Sequence, residues 1–310
     1  MNVRQNIKTM NKKRNTDRMN TEKDLSRLME KIKSQDFKST EELNDFMSNL
    51  MGQNLDDLPE RTVNNGHSQD LVYEAYEQPI SKAKKLIKKA LELNPNNADA
   101  YNYLASIEKD IDKAIKQYEK AIKAGEKTLG EKFFKEEKGY FWGMIETRPY
   151  MRAKAGLADC LYAKNEFDKA IEIYTEMLDL NPNDNQGVRY LLSTLYLRTN
   201  DFKKFHNLNK RYDEYGNAVS NFNIALSQFK QEKQSEISNK LLTEAHNKNN
   251  FVIDLLLGNK KMPKKQPDYI GIGDNNEAVA YVYGNYKLWE ETQGAFEWIY
   301  NFKQKRLKIN

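Results

Sequence analysis

The sequence is poor in the residues that build disulfides, metal sites and tight β-turns. It has 310 residues but only one cysteine, three histidines, 14 glycines and seven prolines. A single cysteine excludes an internal disulfide, and we expect Cys160, which lies among apolar residues, to be a buried and unreactive thiol. With 31% charged and 39% hydrophobic residues, this composition indicates a helical protein rather than a β-sandwich.

Long apolar runs are also missing. No stretch approaches the roughly 20 apolar residues that span a bilayer, and the N-terminus lacks the apolar core of a signal peptide. The sequence therefore predicts no membrane insertion and a cytoplasmic location.

Catalytic and cofactor motifs are sparse. His67, His206 and His246 are far apart and show no H-x3-H spacing, so no metal site is predicted. Gly271-x-Gly273 lacks the third glycine and the preceding strand of a dinucleotide-binding loop. No G-x-S-x-G motif is present. We predict no catalytic residues, no cofactor and no enzymatic activity.

The net charge is confined to the N-terminus. Residues 1 to 23 contain seven basic and two acidic residues, which accounts for the whole formal charge of +5. We predict a basic disordered arm over residues 1–20. Such an arm is either a solvated tail or a segment that neutralises phosphates on nucleic acid or on a membrane surface.

A phrase that occurs twice is the strongest positive signal. It reads Ala83-x6-Ala90-x4-Pro95 and then Ala170-x6-Met177-x4-Pro182. Each copy predicts a helix that ends just before a proline, followed by an Asn/Asp-rich turn and another helix.

The repeated phrase resembles the tetratricopeptide repeat (TPR) superfamily, in which small residues recur where helices cross. Ala114 and Ala121 fit the same positions between the two copies. The resemblance implies stacked helical hairpins with a groove that binds protein or peptide partners. Aromatic phrases such as GYFWGMIETRPY and PDYIGIGDNNEAVAYVYGNYKLWEE are similar to a bacterial TPR family, itself loosely similar to suppressor of tumorigenicity 7 proteins. That second resemblance implies no activity.

These signals predict an all-α, TPR-like helical-hairpin solenoid with an N-terminal helical extension and a C-terminal helical cap. The predicted segments are a basic arm at 1–20, two amphipathic helices at 21–51, a linker at 52–66, the solenoid at 67–257, and a loop with the cap at 258–310. The two amphipathic helices are either a tethered module or a cap that folds back on the solenoid.

Periodicity also predicts the individual helices. They fall near 69–77, 80–93, 98–108, 111–127, 149–164, 167–179, 185–198, 201–213, 217–231, 235–247, 250–257 and 274–291, with a final helix from about 295.

An insertion at about 125–149 interrupts the repeats. The spacing from Ala114 to Ala170 is 56 residues, which is 22 more than one 34-residue repeat. Its aromatic residues are Phe133, Phe134, Tyr140, Phe141 and Trp142. They either pack against the neighbouring helices or form an exposed docking patch.

The TPR resemblance implies a ligand site, because the first helix of each unit lines the groove. The implied residues are Asn102, Tyr103, Ser106, Arg152, Asp159, Tyr162, Arg189, Tyr190 and Ser193, with Glu146 and Arg148 at the edge. Arg152 and Arg189, flanked by tyrosines, suit a carboxylate or an acidic peptide. Alternatively, these polar residues keep an unused face soluble, or the arginines are salt-bridge partners of Asp159 or Glu146.

The predicted function is a non-catalytic scaffold that binds a protein or peptide, and the two arginines favour an acidic one. The alternative is a nucleic-acid-associated protein that acts through the basic arm. A third hypothesis is an enzyme or regulatory subunit whose catalytic residues the sequence does not identify.

Overall fold

The computed structural model describes residues 3–50, 64–212 and 216–307, and within them all regular structure is helical. The helices are α1 Val3–Lys33, α2 Thr40–Leu50, α3 Asn64–Glu77, α4 Ile80–Leu93, α5 Ala98–Ile107, α6 Ile111–Glu136, α7 Arg148–Ala163, α8 Phe167–Leu180, α9 Val188–Arg198, α10 Phe202–Tyr212, α11 Ala218–Glu232, α12 Glu236–Lys248, α13 Val252–Leu256, α14 Asn275–Glu291 and α15 Ala295–Leu307. This confirms the all-α, TPR-like solenoid fold class. None of the described helices combines the length and apolar character that crossing a membrane requires.

Contacts divide the chain into two compact units, one of Ile7–Asn185 and one built on Gln186–Asn310. In the first unit, the hairpins α3–α4, α5–α6 and α7–α8 stack side by side, since α5 packs on both α3 and α7. In the second unit, α11 packs on α9, α12 and α14.

Turn residues set where the hairpin helices begin. Asn97 caps α5, because its side-chain oxygen accepts a hydrogen bond from the Ala100 N–H at 3.0 Å. Asp110 caps α6 in the same way, accepting from the N–H groups of Asp112 and Lys113. The Asn/Asp-rich turns of the sequence therefore act as helix start signals.

Small residues allow the hairpin helices to approach closely. Ala83, Ala90, Ala121 and Ala170 are fully buried, and Ala114 is nearly so. Around Ala83 and Ala90, a core cluster includes further apolar residues of α3 and α4. The small positions of the repeat thus lie at helix crossings, as the pattern predicts.

The N-terminal segment differs from the prediction. The boundary at residue 20 between a disordered arm and a first helix is corrected, because α1 is one helix from Val3 to Lys33. No proline or glycine interrupts this stretch, so nothing in the sequence stops the helix. Thr21 lies inside α1, and its hydroxyl donates to the Asp17 carbonyl rather than capping a helix start.

The second predicted amphipathic helix is present as α2. Its start is capped by Ser39, whose hydroxyl accepts from the Glu42 N–H at 3.2 Å. The aromatic rings of Phe37 and Phe46 pack with centroids 5.2 Å apart. Most of the predicted linker at 52–66 lies outside the described residues, and α3 already begins at Asn64.

The aromatic insertion packs into the first unit. Helix α6 runs to Glu136 rather than ending near 127, with a break at Gly130, where φ is +77°. Phe141 is fully buried, and its ring lies 5.0 Å from Phe134 between centroids. The N–H of Phe141 donates to the carbonyl of Leu180, which fastens the insertion to the end of α8.

One insertion aromatic is an exception to this packing. Tyr140 is 67% exposed, whereas Phe133 packs edge-on against Phe141 with centroids 6.0 Å apart. The insertion is therefore mainly a structural element of the first unit, with one aromatic side chain at its surface.

The C-terminal helices close the second unit. Asp274 caps α14 by accepting the Glu277 N–H at 2.7 Å. Trp298 of α15 stacks on Phe229 of α11, with ring centroids 4.4 Å apart, and is fully buried. The predicted helical cap therefore covers apolar surface of α11.

Candidate functional site

The candidate site is the surface formed by α3, α5 and α7, the first helices of the three hairpins in the first unit, called the groove below. Asp99 lies at its centre, in the first turn of α5, where the helix dipole favours a carboxylate. Its side chain is fully buried. It accepts hydrogen bonds from Gln69 Nε2 at 3.0 Å and from Asn102 Nδ2 at 3.1 Å.

Arg152 of α7 is the principal cation of the groove. Its guanidinium donates from Nε to Asp99 Oδ1 at 3.0 Å and from Nη2 to Asp99 Oδ2 at 2.5 Å. This fork-shaped contact fixes the guanidinium plane. Burial alone would lower the pKa of Arg152, but ion pairs with Asp99 and with the carboxylate of Glu22 raise that pKa well above its usual value. Arg152 is therefore a permanent cation.

The other side of the Arg152 guanidinium holds a carboxylate from α1. Nη1 donates to Glu22 Oε2 at 2.9 Å, and Nη2 donates to Glu22 Oε1 at 2.8 Å. Arg148 lies one turn before Arg152 on α7, and its Nη1 is 3.6 Å from Glu22 Oε2. Only 1% of the Glu22 side chain is exposed. The groove thus buries an acidic residue of a helix between two arginines.

Further contacts hold α1 along the groove. The Thr16 hydroxyl donates to the Tyr76 carbonyl at 3.3 Å, and Arg27 Nε lies 4.0 Å from Asp70 Oδ1. As α1 advances from Thr16 to Arg27, its partners on α3 move back from Tyr76 to Asp70. Helix α1 is therefore antiparallel to α3.

The ends of this contact are anchored by one apolar and two charged side chains. Met19 is 2% exposed. The Arg18 guanidinium lies 4.7 Å from the Trp142 ring centroid, and Lys33 Nζ lies 2.7 Å from Glu146 Oε1. The sequence left two alternatives for the N-terminal helices, a tethered module or a cap that folds back on the solenoid. Helix α1 corresponds to the second, because it is docked on the groove.

Several predicted site residues belong to this groove. Asn102 is buried, and its Nδ2 also donates to the Pro149 carbonyl at 2.8 Å, which ties α5 to α7. Arg148 Nε donates to the Trp142 carbonyl at 3.2 Å. Glu146 pairs with Lys33 as noted, and this pairing lowers the pKa of Glu146 against the opposing effect of burial. Arg152, Arg148, Glu146 and Asn102 are thus brought together around α1.

Other predicted residues of the first unit have different partners. Tyr103 is buried on the core side of α5, edge-on to Tyr76 with centroids 5.1 Å apart. The Ser106 hydroxyl donates to the Tyr103 carbonyl of its own helix at 2.7 Å. Asp159 accepts a hydrogen bond from the Tyr174 hydroxyl, and the Tyr162 ring packs against Phe167. Tyr103, Asp159 and Tyr162 therefore contribute to packing between helices, and Ser106 bonds within α5.

Arg189, Tyr190 and Ser193 lie in the second unit. The Arg189 guanidinium is 4.4 Å from the Tyr190 ring centroid and 5.3 Å from that of Tyr212. The buried Ser193 hydroxyl accepts from Asn223 Nδ2 at 3.0 Å. The predicted convergence of Arg152 and Arg189 on one anionic ligand stays a prediction.

Sequence reasoning missed the two carboxylates of the groove. Asp99 was hidden within a turn motif, and Glu22 was counted only as a charge of the basic segment. The spacing of residues could have identified both carboxylates. Met19 and Glu22 lie three residues apart on one helical face, as do Asp99 and Asn102.

Comparisons with known families agree with the repeat pattern. Models of the tetratricopeptide repeat match residues 86–123 and residues 161–223. No curated protein matches the chain at a significant level. The resemblance to the bacterial family similar to suppressor of tumorigenicity 7 proteins stays a prediction.

Proposed function

Because this chain is a tetratricopeptide-repeat protein, we propose that it is a scaffold whose groove binds a helical protein segment carrying an acidic residue. TPR repeats generally mediate protein–protein interaction, and TPR proteins are typically non-catalytic. The observation that carries the proposal is the bidentate ion pair between Arg152 and Glu22, through which the groove already holds a helix.

Charge in the groove supports an acidic ligand. Around the position of Glu22 the groove supplies Arg148 and Arg152 against Asp99, so one positive charge is locally in excess when Glu22 is taken away. Asp70 and Glu146 lie further along the groove, where they face Arg27 and Lys33 of α1. A segment that covers Arg148 and Arg152 again without supplying a carboxylate leaves this excess charge buried, which is unfavourable, and an acidic side chain relieves that cost. The same argument disfavours a basic side chain at the position of Glu22.

Helix α1 has the character of an exchangeable occupant. Met19 and Glu22 are buried, but the apolar side chains of Leu25 and Met29 are 38% and 41% exposed. A helix held by few buried side chains opens at low free-energy cost. A partner segment with the same anchoring chemistry would then compete with α1 for Arg152.

The test uses a fluorescent peptide of residues 16–33 and the full chain carrying Glu22→Lys. The new lysine is repelled by Arg148 and Arg152, so its own α1 leaves the groove and the peptide binds in its place. Fluorescence polarisation should show saturable binding to this variant. Binding to the unchanged chain should be much weaker, because the tethered α1 has a high effective concentration.

Two variants serve as controls. Asp24→Lys makes the same charge change two residues further along α1, on the side opposite Glu22, and should leave the chain closed to the peptide. Adding Arg152→Gln to Glu22→Lys should abolish binding. Peptide binding that persists without Arg152, or that fails in the Glu22→Lys chain while its helical circular dichroism is retained, would overturn the proposal.

A further inference from the structure

A cavity of about 250 Å³, partly open to solvent, remains between α1 and the groove and extends along α1 from Glu22 to Lys33. On the α1 side it is bordered by Ser26 and Met29. Facing them are apolar side chains of the groove and the insertion, among them Leu129, Ile145 and Tyr150.

The size of this cavity indicates an imperfect fit. Protein interiors pack as densely as organic crystals, and a cavity of only ~150 Å³ is enough to hold a benzene molecule. Helix α1 therefore supplies Glu22 to Arg152 and Arg148 but leaves space beside the neighbouring apolar side chains. The residue at that point is Ser26, which is small and polar.

Helical geometry says which position of a bound segment reaches the cavity. Residues i and i+4 lie on the same face of a helix, so Ser26 lies one turn along the face of Glu22. A large apolar side chain at the position of Ser26 would reach Leu129, Ile145 and Tyr150 while the carboxylate stays on Arg152.

We infer that the groove is shaped for a partner helix in which an acidic residue is followed four residues later by leucine, methionine or phenylalanine. Helix α1, with serine at that position, is a weaker resident occupant that such a partner displaces. This inference rests on the proposed function and adds to it the chemical pattern of the partner.

The test compares three peptides of residues 16–33 on the full chain carrying Glu22→Lys. One has the natural sequence, one carries Ser26→Leu, and the control carries Thr21→Leu, which adds the same apolar group at an exposed position of α1. The Ser26→Leu peptide should bind about tenfold more tightly than the natural peptide, because the added apolar carbons move from water into the cavity. The control peptide should bind within about twofold of the natural one.

The outcomes separate this inference from the proposed function. If no peptide binds, the groove is not a helix-binding site and the proposed function fails. If the natural peptide binds through Arg152 but Ser26→Leu brings no gain, or Thr21→Leu gains equally, the partner pattern is wrong while the proposed function stands.

A second experiment introduces Ser26→Leu into the full chain and measures its Tm. Ser26→Leu in the full chain should raise the Tm and reduce binding of the natural peptide, since a better-fitting α1 closes the groove. Thr21→Leu should do neither. A lowered Tm with Ser26→Leu would show that the cavity does not accept the larger side chain, and would overturn the inference.

Discussion

At the scale of single residues, the groove depends on one buried carboxylate that no sequence pattern identified. Asp99 sits in an Asn/Asp-rich turn, where acidic residues usually cap helices, so its role beneath Arg152 was not predicted. Arg152 itself was predicted as a groove residue. Its partners are 53 and 130 residues away along the chain, and periodicity does not reach contacts of that separation.

The two carboxylates around Arg152 should differ in their effect on stability. Asp99→Asn removes a charge from a fully buried position and presents amide hydrogens to the donors of Gln69 and Asn102. We expect it to lower the free energy of unfolding by about 3 kcal/mol, the scale for breaking a buried ion pair. Glu22→Gln should cost only about 1 kcal/mol, because α1 can leave the groove and return Arg152 to water.

Urea denaturation of both variants measures this difference. Circular dichroism should first show native helix content in each. If both substitutions lowered the free energy of unfolding equally, α1 would be held as firmly as the hairpin helices and would not be an exchangeable occupant.

Helix crossings give a second prediction at the residue scale. Ala121 of α6 is fully buried in a cluster with Ala98 and Ala153, so a larger side chain has no room there. Ala121→Leu should lower the free energy of unfolding by about 1 to 3 kcal/mol. The adjacent exposed position supplies the control, and Lys120→Leu should change stability by less than about 0.5 kcal/mol. Thermal unfolding of the pair decides whether the crossing is as close as described.

At the scale of helices, prediction succeeded where a repeat or a cap marks the boundary. Helix α4 was predicted at its observed bounds, and α14 begins directly after the predicted cap at Asp274. It failed for α1, because charge composition was taken as a sign of disorder although the segment contains no helix breaker. The extension of α6 from its predicted end near 127 to Glu136 was also missed.

Hydrogen exchange tests α1 as a separately opening element. In the unchanged chain, the amides of residues 16–33 should exchange faster than those of α5 and α7, because few side chains within residues 16–33 are buried. In Glu22→Gln, exchange of α1 should accelerate further, while α5 and α7 keep their protection. Asp24→Asn removes the same charge from the opposite face of α1 and should leave exchange unchanged. Parallel acceleration across α1, α5 and α7 would instead indicate one cooperative unit.

At the scale of the whole molecule, the chain joins two compact helical units, and the docked helix belongs to the first. The repeat pattern predicted the hairpins, but periodicity left open whether the N-terminal helices fold back on the solenoid, and it did not identify the groove of α3, α5 and α7 as the contact. That contact depends on tertiary charge pairing between Glu22, Arg148 and Arg152, which is specific to these side chains rather than to the repeat.

A distance measurement decides whether α1 is an exchangeable occupant of the groove. Spin labels at Thr21→Cys on α1 and Lys109→Cys after α5, in a Cys160→Ala background, should give one narrow distance distribution in the free chain. Adding the unlabelled peptide of residues 16–33 at millimolar concentration should broaden that distribution towards longer distances, as Arg152→Gln should do without peptide. A distribution that stays narrow under both conditions would contradict the account, because α1 would then be a permanent part of the scaffold.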